Sequence, residues 1–259
     1  MDQATLLFWT FYTGVISALA TGLGAIPVHF LRTNSSVVRA FSSAVAAGMM
    51  ISASVFSLIQ EGISLKSKFP AAPYIVMVGL LLGAGFYWVA DQYLSTEHGK
   101  ASLVKAHTSR RTLLLIIAMF VHSIPEGIAI GVGFATGSFK FGMIMATAIS
   151  VHNIPEGIAI SLPLKNEGAS TVKCALISIL TSVPQPIMAI PALLLTRVFE
   201  PLLPIGLGFA GGAMIYLVIA ELVPEALEEG GKTLTAWGVM IGLTLMLLIT
   251  NLLSLIPIQ

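Results

Sequence analysis

Long apolar stretches alternate with short clusters of Arg, Lys, Pro and Gly along the whole chain. A bilayer-spanning helix needs about 20 mostly apolar residues, and this punctuation divides the sequence into eight such segments. They lie near residues 6–28, 40–60, 74–94, 112–134, 141–164, 172–195, 205–227 and 234–256. The pattern predicts an all-α, polytopic membrane protein with eight transmembrane helices. No hydrophilic block is long enough for a soluble domain, so residues 1–259 read as a single transmembrane domain with short loops.

Composition agrees with the pattern. The chain is 56% hydrophobic and 10% charged, with mean hydropathy +0.93, far from a soluble globular domain. A net charge of +1 and no basic stripe leave no electrostatic footprint for nucleic acid. The N-terminus has no cationic region and runs into an apolar segment too long for a cleaved signal, so it reads as the first span. The one cysteine, Cys174, offers neither an internal disulfide nor a thiolate cage, so a metal would have to be held by nitrogen and oxygen.

Lys and Arg fall unevenly between alternate loops. Arg32, Arg39, Lys100, Lys105, Arg110, Arg111, Lys165, Lys173 and Lys232 follow the odd-numbered spans, against Lys66, Lys68, Lys140 and Arg197 on the other side. The positive-inside rule then puts the first set in the cytoplasm and both termini outside. The longest connection, residues 95–111, is expected to be a cytoplasmic loop, and its His98 and His107 read as solvated before they read as metal-handling.

The chemistry concentrates in a repeated phrase. His122-Ser123-Ile124-Pro125-Glu126-Gly127 recurs as His152-Asn153-Ile154-Pro155-Glu156-Gly157, 30 residues later. On a helix, His and Glu four residues apart project from one face, and the copies sit mid-span on consecutive antiparallel helices, at the same depth. A carboxylate at the bilayer centre costs about 2.5–3.5 kcal/mol on insertion scales, which makes an intramembrane ionisable group a functional site by default. Packing alone gives no reason for the same pair at the same spacing twice. Pro125 and Pro155 deprive the carbonyls of Val121 and Val151 of their helical partner and predict kinks, and Gly127 and Gly157 permit close helix approach.

Weaker signals surround this pair. Glu221-Leu222-Val223-Pro224-Glu225 echoes the phrase with Glu in place of His; Glu221 is expected on the ion pathway toward the inner mouth, and Glu225 is either its rim or an ordinary acidic helix end beside Glu228 and Glu229. Gln185, between Pro184 and Pro186, could offer its oxygen to a cation or hydrogen-bond freed backbone. Glu61, at the outer end of the second span, reads as an entry carboxylate or a solvated helix end. Met49 and Met50 read as packing before they read as thioether ligands.

With these residues quoted, the chain resembles the ZIP family of divalent-metal transporters, whose fourth and fifth spans carry paired His, Asn or Gln and Glu around H-N-x-P-E-G. The likeness extends to the eight-span bundle, outside termini and the loop between spans three and four, nearly the whole chain. It implies metal-binding roles for His122, Glu126, His152, Asn153 and Glu156, raises Met50 through the match at Ala47-Gly48-Met49-Met50, and matches Glu221 to the family's acidic residue of span seven. Ser123 stands where many relatives have Asn, and Gln185 where relatives with paired metal sites often have Glu. The loss of an anionic oxygen at 185 leaves one firm site and weakens or removes a second.

Imidazole with carboxylate suits Zn²⁺ first and admits Fe²⁺, Mn²⁺, Co²⁺, Ni²⁺ and Cd²⁺. The expected function is zinc uptake into the cytosol by alternating access at the His/Glu site, with the metal as cargo, no catalytic cofactor, and the lipid bilayer and the ion as partners. The cell membrane is the expected location, and the resemblance suggests an elevator-like motion and a homodimer. The alternative is an intramembrane zinc-dependent hydrolase or protease. H-E-x-x-H is absent, and neither copy leaves a spare base.

Overall fold

The computed structural model describes residues 2–30, 36–97, 110–199 and 202–255, all helices and short turns with no strand among them. His98, Lys100, Lys105 and His107, like Arg32, lie outside the described residues; Arg110 and Arg111 begin a helix.

The first span is α1 (Gln3–Leu23) continued by α2 (Ala25–Phe30). The second is α3 (Ser36–Ser52), a π-helical stretch Ala53–Ile59, α4 (Gln60–Ser64) and a 3₁₀ turn Leu65–Ser67. Single helices form the next three: α5 (Ala72–Glu97), α6 (Arg110–Ala135) and α7 (Phe139–Asn166). The sixth is broken into α8 (Thr171–Thr181) and α9 (Pro184–Val198), because Pro184 and Pro186 lack the amide hydrogens that would carry the ladder across the break. Then come α10 (Leu202–Leu217), a second π-helical stretch Val218–Leu222 and α11 (Val223–Leu255).

Seven helical runs are long and apolar enough to cross a membrane, the last of 54 residues, Leu202–Leu255. At about 1.5 Å per residue such a run far exceeds a hydrocarbon core of about 30 Å, and its axis breaks at Gly231 (φ 72, ψ 173). The run is two spans joined at that glycine, which restores the expected eight. Helix starts are set locally: the Asp2 carboxylate accepts from the Thr5 amide at 3.1 Å, and the Thr5 side chain together with that amide holds its carboxyl below the ordinary value, and Ser138 and Ser170 cap α7 and α8.

Burial is sorted as in a bilayer. Phe8, Phe11, Leu81, Trp88 and Trp237 face outward, while His122, Glu126, His152, Asn153, Glu156 and Gln185 are almost wholly enclosed. The helices pack in two sets. In one, α5 lies against α10 and α3 against α11; in the other, α1 packs on α7 and α9, and α6 on α9 and α7. Hydroxyl and amide bonds tie the second set internally, Thr21 to Ser182 at 2.6 Å and Asn153 to the Ser17 carbonyl at 2.9 Å. The sets meet where α10 touches α6 and α3 touches α7.

Candidate metal centre

Both copies of the repeated phrase lie within unbroken helices, α6 and α7, which run on through Pro125 and Pro155. Because α6 and α7 are antiparallel neighbours, Glu126 from the first and His152 and Glu156 from the second converge. One ligand atom from each lies within 4.8 Å of the others, and all three residues are buried. His152 Nε2 is 3.0 Å from Glu126 Oε1. A carboxylate only accepts, so the imidazole donates through Nε2 and its lone pair sits on Nδ1.

Three buried atoms around this cluster make no hydrogen bond with any described residue: His152 Nδ1, Glu156 Oε1 and Asn153 Oδ1. Buried polar atoms are nearly always satisfied, so each such atom calls for an explanation such as an ion. Two ionised carboxylates with a neutral imidazole carry a charge of −2, which a divalent cation cancels. Without one, like charges in a low-dielectric interior oppose each other. Nitrogen and carboxylate oxygen together fit zinc and neighbouring divalent metals.

The remaining predicted residues fall into distinct places. Asn153 donates through Nδ2 to the Ser17 carbonyl, the Ser17 hydroxyl at 3.1 Å and Gln185 Oε1 at 3.3 Å. The Gln185 side chain bonds other side chains rather than freed backbone: its oxygen faces Asn153, and its Nε2 donates to Glu126 Oε2 at 2.5 Å. Ser123 is buried beside the site, but its hydroxyl donates to the Met119 carbonyl one turn back, at 3.3 Å. Met50 is fully buried in the main apolar cluster. Glu61, on α4, is half-buried and not among the carboxylates of the centre.

His122 is the main departure from the symmetric pairing that the sequence suggests. It is buried next to the centre but does not join the cluster; its Nδ1 lies 3.1 Å from the Tyr87 hydroxyl, which donates to Glu221 Oε1 at 2.7 Å. Glu221 sits in the π-helical stretch Val218–Leu222, a distortion frequent at functional sites. Tyr87 and Ser17 carried no signal in the sequence, one being an aromatic and the other a small polar residue within an apolar span.

Cavities lie near both ends of the bundle. One of about 270 Å³ is lined by Arg39, Thr112, Leu115, Pro163, Asn166, Glu167 and Glu225. There Arg39 is ion-paired with Glu229 and Thr112 donates to Glu167 at 2.6 Å. The other, of about 320 Å³, includes Leu6, Lys68, Phe134, Thr136, Arg197 and Leu203 in its wall. Each has walls from both helix sets.

Comparison with known proteins places the chain. The family model described as "ZIP Zinc transporter" matches residues 91–250, which include both copies of the phrase. The zinc transporter GufA of Myxococcus xanthus is 34% identical over 245 residues, covering 91% of this chain and 95% of that protein. The zinc transporter ZIPB of Bordetella bronchiseptica is 33% identical over 257 residues, covering 93% of this chain and 80% of that protein. A longer protein of Arabidopsis thaliana is 38% identical over 222 residues, and there the match spans only 35% of the relative. A family match across both ligand-bearing helices, together with relatives that align along almost their full length, makes this chain a member of the ZIP zinc transporter family.

Proposed function

We propose that the chain carries zinc into the cytosol by alternating access, with Glu126, His152 and Glu156 as the core of one transit site between α6 and α7. At the coarser level it is a multi-pass integral membrane protein of a divalent-metal transporting family and not an enzyme, which removes the hydrolase and protease alternative. The observation that carries the finer reading is the fully buried triad with its unpartnered ligand atoms. Asn153 Oδ1, buried and without a hydrogen bond among the described residues, supports a further oxygen ligand from the residue next to His152. Fe²⁺, Mn²⁺, Co²⁺, Ni²⁺ and Cd²⁺ fit the same donors.

The division into two helix sets supports a mechanism in which α1, α6, α7, α8 and α9 slide past the sheltering pairs α3 with α11 and α5 with α10. In this reading the site rides with the sliding helices, since the triad belongs to α6 and α7. The cavity at Arg39, Glu167 and Glu225 lies on the side rich in Lys and Arg, so we assign it to the cytoplasm and both termini to the outside. A divalent ion entering a negative-inside compartment gains twice ~2.3 kcal/mol per 100 mV, enough to drive uptake without nucleotide. Uptake of radiolabelled zinc into sealed vesicles tests the proposal. Saturable flux in the parent chain that vanishes in His152→Ala and Glu156→Ala is the expected result, and flux indifferent to both changes would sink it.

A further inference from the structure

Tyr87 belongs to α5, in the helix set opposite to the one that carries the metal triad, yet its side chain reaches His122 on α6. It is 1% exposed, its ring meets the His122 imidazole edge to face with centroids 5.5 Å apart, and its hydroxyl bridges His122 Nδ1 at 3.1 Å and Glu221 Oε1 at 2.7 Å. A phenol has a single hydrogen. Glu221 as a carboxylate can only accept, so the phenol hydrogen goes to Glu221 and the Tyr87 oxygen must accept from His122. The imidazole therefore carries its hydrogen on Nδ1, and in its neutral form its lone pair lies on Nε2. His122 stands one helical turn from Glu126 on the same face of α6.

We propose that Tyr87 is a positioning residue for metal capture: with Glu221 it holds His122 as the Nδ1–H tautomer, so that Nε2 is the nitrogen His122 presents to an incoming ion. This is the arrangement in which an outer partner fixes the tautomer and orientation of an imidazole ligand. It also ties an imidazole on α6 to α5 and to the π-helical stretch after α10, so occupancy of the site and the relative position of the two helix sets act on one hydrogen-bonded chain. The inference rests on the transit-site reading above and adds a residue from outside the repeated phrase.

Equilibrium zinc binding to the full chain in detergent, measured by chelator competition, tests it across the parent, Tyr87→Phe, His122→Ala and the double variant. Loss of an outer partner typically costs 10–100-fold in metal affinity or activity, so Tyr87→Phe is expected to weaken zinc about tenfold. The same change on the His122→Ala background is expected to cost nothing further, because the hydroxyl then has no imidazole to orient. No weakening, or an equal weakening in both backgrounds, overturns the proposal. A second measurement needs no change at Tyr87: ¹⁵N NMR of histidine-labelled protein in bilayers, with the His122 signal identified by its loss in His122→Gln. An Nδ1–H resonance supports the relay, and an Nε2–H resonance overturns it. Vesicle flux is read separately, so absent zinc transport in the parent chain removes the transit-site reading while leaving the tautomer result to be judged by itself.

Discussion

Gln185→Glu exchanges the amide that donates to Glu126 at 2.5 Å for a second carboxylate at the same fully buried point. A hydrogen bond to a charged group contributes about 1.5–3 kcal/mol, and it is lost. Two unit charges about 4 Å apart repel by about 4 kcal/mol at an effective dielectric of about 20. Together these penalties reach about 6 kcal/mol in the metal-free variant, so a cation beside residue 185 is strongly favoured. In the parent chain the Gln185 amide already satisfies Glu126 Oε2, so on the proposed reading one ion is expected at the site. Metal analysis after equilibrium dialysis at saturating zinc and mildly alkaline pH, where protons compete least, should return one equivalent for the parent and two for Gln185→Glu. Two equivalents in the parent, or one in both, would refute the reasoning.

Gly157→Ala places a Cβ 1.8 Å from the Thr21 carbonyl oxygen, so α1 must retreat from α7; overpacking of this kind costs about 1–3 kcal/mol or more. A lower Tm and weaker zinc binding are expected, since α7 carries His152 and Glu156. Gly231→Ala meets no neighbouring atom, but its backbone (φ 72, ψ 173) is a region open essentially to glycine alone. It should lose about 1–3 kcal/mol in thermal unfolding while zinc affinity stays at the parent value. Acidifying the medium should raise the KM for zinc uptake, because the ligands bind metal only when deprotonated; a KM that stays level on acidification would argue against imidazole and carboxylate as the transit ligands.

The eight spans were legible because bilayer thickness imposes a length and a polarity that need no partner helix. Where the pattern departs from the fold, backbone chemistry is the cause: the sixth span breaks at Pro184 and Pro186, and the last two spans share a continuous helical run interrupted only by Gly231. The π-helical stretches Ala53–Ile59 and Val218–Leu222 left no trace in the hydrophobic pattern, since one extra residue per turn shifts a face without changing its composition.

The same division runs through the site. Glu126, His152 and Glu156 were visible because a carboxylate or imidazole at the middle of an apolar span is costly wherever the neighbouring helices lie, and the repeat set their spacing. That His122 turns to Tyr87 while His152 turns to Glu126, and that Gln185 donates to Glu126, depended on contacts across 35, 26 and 59 residues of chain. Two copies of one phrase have equal local chemistry, and only different neighbours separate them. Desolvation alone marked where charge sits in this chain, whereas the partner that each charge or lone pair meets was decided by how the helices pack, within one set for His152 and Gln185 and between the two sets for His122.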